Sequence, residues 1–344
     1  MATQAATGTA IIADDLSVSY GPRRANASQR VLSGVSFELA RGEILGIVGT
    51  AGSGKTALGR VLCGRGLLGR NPDWPWISGG SAQVAGIDLR HPSADDLRRL
   101  SLDIGYLAQD SGNELRVDLT VAENIAEPIL SRDRNFDRAS LGRAAAMLID
   151  AVDLELGVLN RYPHELSRGQ RQRVAFAKAL IVEPAVLIVD EPAQGIDIIA
   201  RPALFSLLER LNRARALTMI VISNDLATIE RLTRNILVVD EGTVLAQGDI
   251  DVALGSSADG YLRRLRDARE FSRAPLPGLV SKETVAAAER VVEGLFVELS
   301  AEDERERAQE AAREQLIENR PEFARFFPAE TESESASETG SVKE

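Results

Sequence analysis

The segment at residues 49–56, which reads GTAGSGKT, carries the residue types of a phosphate-binding loop. An apolar run typical of a buried strand comes before it, and a run with helical spacing follows it. Glycines let the backbone turn tightly enough for several N–H groups to converge on phosphate oxygens, and the N-terminus of the following helix adds the positive end of its dipole. We therefore predict that this phosphate loop binds a nucleotide.

Two side chains of the phosphate loop are suited to act on the nucleotide directly. Lys55 is expected to reach the β- and γ-phosphates, and the hydroxyl of Thr56 is expected to bind Mg²⁺. The backbone contacts are expected from the rest of the loop, which consists of Gly49, Thr50, Ala51, Gly52, Ser53 and Gly54.

Two carboxylates stand at the end of a second apolar run, AVLIVD at residues 185–190. Asp190 is suited to hold the Mg²⁺ shell, and Glu191 is suited to polarise an attacking water. The same pair could merely end a strand with solvated charges. Because parallel strands end at one edge of a sheet, the phosphate loop upstream favours the catalytic interpretation.

The order of the elements predicts an α/β fold. Strand-like and helix-like runs alternate after residue 185, which predicts a parallel sheet with its ligand at the carboxyl ends of the strands. Residues from about 112 to 176 have helical spacing and predict a helical subdomain inserted into this core. Residues 235–249 are expected to close the core as a hairpin.

The flanking parts of the nucleotide-binding domain are expected to differ from the core. Residues 11–49 alternate as strands of an antiparallel β subdomain do, with a hairpin turn expected at Arg41 and Gly42. Residues 71–81 are rich in proline and glycine and are expected to be irregular.

The chain is expected to divide into a nucleotide-binding domain at residues 1–255, a mostly helical extension at 256–328 and a disordered acidic tail at 329–344. The net charge of −11 is uneven, with 13 acidic and 6 basic residues from residue 302 onward. The rest of the chain is close to balanced, so we expect no nucleic-acid partner.

The composition gives no sign of a membrane span or of secretion. No apolar run approaches the roughly 20 residues that cross a bilayer, and the first residues lack the basic and apolar parts of a secretory signal. Cys63 is the single cysteine, which excludes an internal disulfide and a cysteine-ligated iron–sulfur cluster. We expect a cytosolic protein that would need other chains to work at a membrane.

Residues 166–170, reading LSRGQ, resemble the LSGGQ signature of ATP-binding-cassette (ABC) ATPases, and the resemblance extends over residues 11–255. It implies ATP hydrolysis by a P-loop, RecA-like core. In that family the signature, here Ser167, Gly169 and Gln170, caps the γ-phosphate held by the other subunit of a head-to-tail dimer. A hydroxyl and glycine N–H groups at a helix N-terminus suit an anion. By itself, LSRGQ could equally be a helix cap.

The same resemblance implies roles for three further residues. Tyr20 matches the aromatic residue that stacks on adenine, for which a flat apolar face is needed. Gln109 matches the glutamine that touches Mg²⁺ and the lytic water and that senses the transmembrane partner. Asp197 matches the aspartate at the dimer interface.

Two positions depart from the family pattern. Arg168 replaces the first signature glycine, at a position not expected to touch phosphate. Asn224 stands where the family has a histidine that contacts the γ-phosphate. Asparagine donates a hydrogen bond but cannot carry a proton or a positive charge. We therefore hypothesise that this ATP site hydrolyses slowly, with Glu191 still available as the base.

The insert at residues 66–89 and the segments at 117–129 and 161–184 resemble the ATPases of oligopeptide, dipeptide and nickel importers. This resemblance implies a second, different ATPase subunit, two transmembrane permease subunits, a solute-binding protein and a location on the cytoplasmic face of the membrane. The region after residue 256 departs from that subfamily. Three alternatives stay open at this point: an exporter ATPase, a cassette in a non-transport assembly, and a regulatory nucleotide-binding subunit.

Overall fold

The computed structural model describes residues 8–21, 28–68, 73–196, 201–255 and 259–273. The predicted acidic tail and most of the predicted helical extension lie outside these residues, and so does Asp197.

The described residues form ten strands and ten α-helices. The strands are β1 (Thr9–Tyr20), β2 (Gln29–Ala40), β3 (Ile44–Gly49), β4 (Trp76–Val84), β5 (Ile87–Asp88), β6 (Ile104–Leu107), β7 (Val186–Asp190), β8 (Thr218–Ser223), β9 (Asn235–Asp240) and β10 (Thr243–Asp249). The helices are α1 (Lys55–Leu62), α2 (Arg65–Leu68), α3 (Ala94–Asp103), α4 (Val121–Leu130), α5 (Arg138–Ala151), α6 (Arg168–Leu180), α7 (Arg201–Arg215), α8 (Leu226–Leu232), α9 (Ile250–Gly255) and α10 (Gly260–Arg273).

The core is a six-stranded sheet in the order β10-β9-β3-β8-β7-β6. All its strand pairs are parallel except β9 with β10. Every residue of β3, β7 and β8 is buried, as expected for continuous apolar runs in a sheet covered on both faces. The predicted parallel-sheet core is confirmed. The carboxyl ends of β3, β6, β7, β8 and β9 therefore meet at one edge, where the phosphate loop begins.

A second, antiparallel sheet has the order β2-β1-β4-β5. The antiparallel subdomain is thus confirmed, but two details of the prediction are wrong. The turn at Arg41 and Gly42 does not close a hairpin, because β2 pairs in the antiparallel sheet and β3 in the parallel one. The stretch expected to be irregular forms most of β4, whose pairing with β1 is supplied by residues about 60 positions away.

The helical insert lies between β6 and β7 and contains α4, α5 and α6. Each helix begins at a capping side chain, supplied by Thr120, Asp137 and Ser167. Their buried faces join the same apolar cluster as one face of the parallel sheet. The insert therefore packs against the core along its apolar stripe, as the helical spacing predicts.

The hairpin of β9 and β10 and the helix α10 continue this packing toward the end of the described chain. The hairpin of β9 and β10 turns at Glu241 and Gly242, which have φ angles of 45° and 77° as a tight two-residue turn requires. Helix α10 follows the predicted domain end at residue 255 and buries Leu262 and Leu265 in the core cluster.

Candidate nucleotide-binding site

The phosphate loop connects β3 to α1, and its first and last glycines are sterically required. A Cβ atom on Gly49 would lie 1.9 Å from the Val239 carbonyl oxygen on the neighbouring strand. Gly54 caps α1 with a φ of 99°, and a Cβ there would lie 2.7 Å from the Leu32 side chain. The loop is thus held close to β9 on one side and to β2 on the other, which fixes its backbone before any ligand binds.

Lys55 folds into its own loop. Its Nζ donates to the carbonyl oxygens of Gly49 at 2.9 Å and Thr50 at 2.6 Å, and only 5% of the residue is exposed. Burial lowers the pKa of the Lys55 ammonium, and the nearby carboxylates, Glu191 first, oppose that shift. The cation therefore lies inside the loop, next to where a bound phosphate would supply stronger acceptors than neutral carbonyls.

Asp240 is a residue of the loop's surroundings that sequence reasoning missed. It stands at the end of β9, and its Oδ1 accepts a hydrogen bond from the Thr50 hydroxyl. The bond is a second tie between the phosphate loop and β9, beside the close approach of Gly49 to Val239. The sequence shows that Asp240 follows an apolar run, but its role depends on which strand lies beside that run, and the sequence alone does not give this neighbour.

Asp190, at the end of β7, is almost fully buried and lies beside the first turn of α1. Burial raises the pKa of its carboxyl, with Glu191 adding to the rise, while a hydrogen bond with Thr56 and the charge of Lys55 oppose it. Within the described part of the chain, no donor reaches its buried Oδ2. A buried carboxylate oxygen without a donor, next to a threonine hydroxyl, has the chemistry of a cation ligand.

The residues around Asp190 suit Mg²⁺ better than a metal that needs a full protein cage. Among the described residues, no three His, Cys, Asp or Glu side chains gather as ligands. Mg²⁺ needs only a few protein ligands when water and phosphate oxygens complete its coordination shell, and one carboxylate with one hydroxyl is such a set. Asp190 and Thr56 therefore fit the ion.

Glu191 directly follows β7 and is held by residues at the end of the neighbouring strand β8. Its backbone is in the left-handed region, at a φ of 52°, and its N–H donates to the Ile222 carbonyl at 2.8 Å. Its carboxylate accepts from the Ser223 hydroxyl at 2.9 Å and from the Asn224 backbone N–H at 2.8 Å. A non-glycine residue in this conformation persists only where its surroundings impose it, as is common at functional sites.

Three further residues predicted for the site have the following places in the structure. Asn224 is exposed, and its backbone rather than its side chain contacts Glu191. Gln109 is exposed two residues after β6, at the same edge of the sheet as Asp190. Tyr20 ends β1, is half-buried and lies beside Arg60 of α1. Their roles toward a nucleotide stay predictions.

The signature segment lies at the start of α6 in the helical insert. Ser167 caps the helix: its hydroxyl accepts from the Gln170 N–H at 3.2 Å, and its own N–H donates to the Gln170 side chain at 2.9 Å. Gly169 lies close to the Gly195 carbonyl, because an added Cβ would be 3.1 Å from it. The helix-cap interpretation of LSRGQ is thus realised in the structure, and the trans contact to a γ-phosphate stays a prediction.

Arg168 reaches back from the signature toward the core. Its guanidinium pairs with Asp110 at 3.0 Å, one residue after Gln109. It also covers Gly195, where an added Cβ would be 3.0 Å from Arg168 Nε. The residue that departs from the family signature therefore links the signature helix to the turn after β6.

Comparisons with known proteins agree with this geometry. Residues 32–194 match the family described as ABC transporter. The oligopeptide transport ATP-binding protein OppD of Mycobacterium tuberculosis is 34% identical over 244 residues, which are 71% of this chain and 38% of OppD. This chain therefore spans well under half the length of that relative.

Two further relatives align over most of their own length. OppF of Salmonella typhimurium, an oligopeptide transport ATP-binding protein, is 33% identical over 72% of this chain and 70% of its own. A Brucella ovis protein whose name assigns it to peptide import is 33% identical over 78% of both chains.

Solved structures confirm the fold. An ATP-binding cassette solved as a dimer with ADP and Pi has a TM-score of 0.61 at 24% identity and covers 70% of this chain and 98% of its own. CbiO1 of Clostridium perfringens, part of an ABC transporter complex, has a TM-score of 0.59 at 22% identity over 78% of this chain and 96% of its own. The chain therefore belongs to the ABC transporter ATPase family, and the relatives compared above are named as ATP-binding proteins of peptide transport.

Proposed function

We propose that this chain binds ATP with Mg²⁺ at residues 49–56 and hydrolyses it to drive a membrane importer of peptides or similar small solutes. The observation that carries the proposal is the meeting of three features at one sheet edge. They are a rigid loop with a buried lysine, a buried Asp190 oxygen without a donor, and a Glu191 carboxylate held in place.

The residues of the site divide the work of phosphoryl transfer. Lys55 exchanges its two carbonyl acceptors for phosphate oxygens, and the N–H groups of the loop and of α1 hold the rest of the triphosphate. Thr56 and Asp190 would hold Mg²⁺, and Gln109 would contact the same ion. When bound, the ion neutralises charge on the β- and γ-phosphates. Glu191 accepts the proton of the attacking water.

The site is completed by a second cassette, which we expect to be a different chain. Two cassettes close head to tail, so that the signature of each, here Ser167, Gly169 and Gln170, meets the ATP held by the other, with Asp197 and Tyr20 in their family roles. The exposure of Ser167 supports this reading, because a cap that faces solvent is free to meet a partner's ligand. Closure and release of phosphate would then move the helical insert against the permease.

The proposed partners are two permease subunits and a solute-binding protein, with the ATPase on the cytoplasmic face of the membrane. No helix among the described residues is long and apolar enough to span a bilayer. The names of the relatives support peptides as cargo.

The test is purification of the full-length chain at native stoichiometry, together with ATP turnover of what is recovered. We expect a permease pair and a second ATPase to accompany it. Lys55→Ala should abolish ATP binding and turnover, whereas Lys178→Ala, which removes a lysine paired with Glu127 in the helical insert, should leave both unchanged. Recovery of no membrane protein would refute the transport role. Recovery of permeases without a solute-binding protein would favour an exporter.

A slow or regulatory cassette is a second candidate, and Asn224 favours it. The Asn224 side chain is exposed at the site where a charged group would assist the γ-phosphate. We expect Asn224→His to raise turnover several-fold and Glu191→Gln to abolish the turnover of this site. An unchanged rate in Glu191→Gln would make this site silent, and an unchanged rate in Asn224→His would make the replacement harmless.

A further inference from the structure

Ser223 is a buried polar residue at the end of β8 that no step above requires to touch the nucleotide. Only 2% of it is exposed. Its Oγ lies 2.9 Å from Oε2 of Glu191 and 3.1 Å from the backbone nitrogen of Asp225. The Asp225 contact lies on the turn that leads from β8 into α8, whereas the Glu191 contact joins the end of β8 to the end of β7.

The direction of these two hydrogen bonds follows from the groups involved. The Asp225 N–H can only donate, so it uses a lone pair of Ser223 Oγ. An ionised carboxylate can only accept, so the hydroxyl proton of Ser223 points to Glu191. The result is a short chain of bonds from the Asp225 N–H through the Ser223 hydroxyl to the carboxylate.

The other carboxylate oxygen of Glu191 is held by a backbone group. The Asn224 N–H donates to Oε1 at 2.8 Å, and this bond does not depend on which side chain stands at position 224. Of the two groups that hold the carboxylate, the Ser223 hydroxyl is therefore the one that a side chain supplies.

We propose that Ser223 is the positioning residue of Glu191, which it orients without touching ATP; this rests on the proposed function, in which Glu191 is the base. A glutamate side chain has three rotatable bonds, and fixing both of its oxygens removes that freedom before the water arrives. Small displacements of a catalytic group cost large factors in rate, so the single hydroxyl has a measurable effect.

Ser223 and Asn224 are adjacent in the sequence, but their side chains have different effects on the site. Replacing Asn224 changes what faces the γ-phosphate and leaves the hold on Glu191 in place. Replacing Ser223 loosens the base and leaves the face toward the γ-phosphate in place. The two substitutions should therefore change different parts of the site.

The test uses the full-length chain in the complex with which it purifies. We expect Ser223→Ala to lower kcat about ten-fold with the KM and the binding affinity for ATP unchanged, because only the positioning of the base is lost. Ser223→Thr, which keeps the hydroxyl, should recover most of the rate. The matched control is Ser17→Ala, which removes a buried serine hydroxyl that accepts from Gly34 in the antiparallel sheet, and it should leave kcat unchanged.

A double-mutant cycle with Glu191→Gln distinguishes positioning from a general structural role. In the Glu191→Gln background, Ser223→Ala should not lower the residual single-turnover rate further. An equal loss in both backgrounds, a rise in KM in place of a fall in kcat, or a full rate in Ser223→Ala would each overturn the assignment. If Lys55→Ala and Glu191→Gln leave turnover unchanged, the proposed function falls and the assignment falls with it. If turnover depends on both residues but not on Ser223, only the assignment falls.

Discussion

The phosphate loop and the signature both stand at the N-terminus of a helix, yet they are built by different means. The phosphate loop is fixed from inside, by glycines pressed against neighbouring strands and by a lysine buried among its own carbonyls. The signature is fixed from its surface, by the mutual hydrogen bonds of Ser167 and Gln170 and by the exposed pair of Arg168 and Asp110. The phosphate loop is therefore held by buried contacts, whereas the signature is held by exposed ones.

The largest expected difference between the two segments comes from adding a methyl group to one glycine of each, Gly49 in the phosphate loop and Gly169 in the signature. Gly49→Ala should lower the free energy of unfolding by about 3 kcal/mol or more, because the clash is with a strand carbonyl that cannot move away, and ATP binding should be lost. Gly169→Ala should change it by less than about 1 kcal/mol, since better helix propensity offsets the closer contact with Gly195. Urea unfolding measures both.

The control for this pair is Gly142→Ala in α5, where an added Cβ meets nothing within 4 Å. It should stabilise the chain by up to about 1 kcal/mol. Equal losses in Gly49→Ala and Gly169→Ala would show that the two segments are equally constrained.

The next effect concerns Asp190, whose buried carboxylate we expect to cost stability when no cation is bound. Asp190→Asn should abolish Mg²⁺-dependent hydrolysis and raise the free energy of unfolding at pH 7 by about 1 kcal/mol in EDTA. Because burial raises the pKa of Asp190 in the folded chain, the stability cost appears as pH rises through the ordinary carboxyl range. Unfolding at about pH 4 and at neutral pH should show the gain shrinking at the lower pH.

A matched control is Asp150→Asn, which removes an exposed carboxylate on α5. It should change the free energy of unfolding by less than about 0.5 kcal/mol. If Asp190→Asn destabilises the chain in EDTA, the carboxylate has a structural role in the empty site.

The smallest effect is expected at the signature surface. Arg168 and Asp110 are both 57% exposed, so their bridge should contribute about 0.2–1 kcal/mol. Arg168→Asp should cost about that much, and adding Asp110→Arg should recover part of it in low salt but not in 1 M NaCl, where charges are screened within about 3 Å. Recovery that persists in 1 M NaCl would mean that the contact is not electrostatic.

Local patterns in the sequence predicted the residues of the site more accurately than they predicted the strands around it. The loop glycines, the apolar runs of β7 and β8, and the carboxylates after β7 follow from short-range patterns. The strand β4 and the placement of β2 and β3 in different sheets do not follow from such patterns, because both depend on pairing between segments that are distant in the sequence. Ser223 and Asp240 were missed for the same reason, because a polar residue at a strand end gains a role only when its neighbour in the sheet is known.

The ion pairs of α10 affect where the chain can be truncated without loss of stability. Arg269 is 9% exposed and bonds Glu230 of α8 at 2.7 Å and Asp251 of α9 at 2.6 Å. A chain truncated at residue 255 would keep the whole phosphate loop yet leave Glu230 without its guanidinium, at a cost of about 1–3 kcal/mol. Contacts that stabilise the nucleotide-binding domain thus extend past residue 255 into α10.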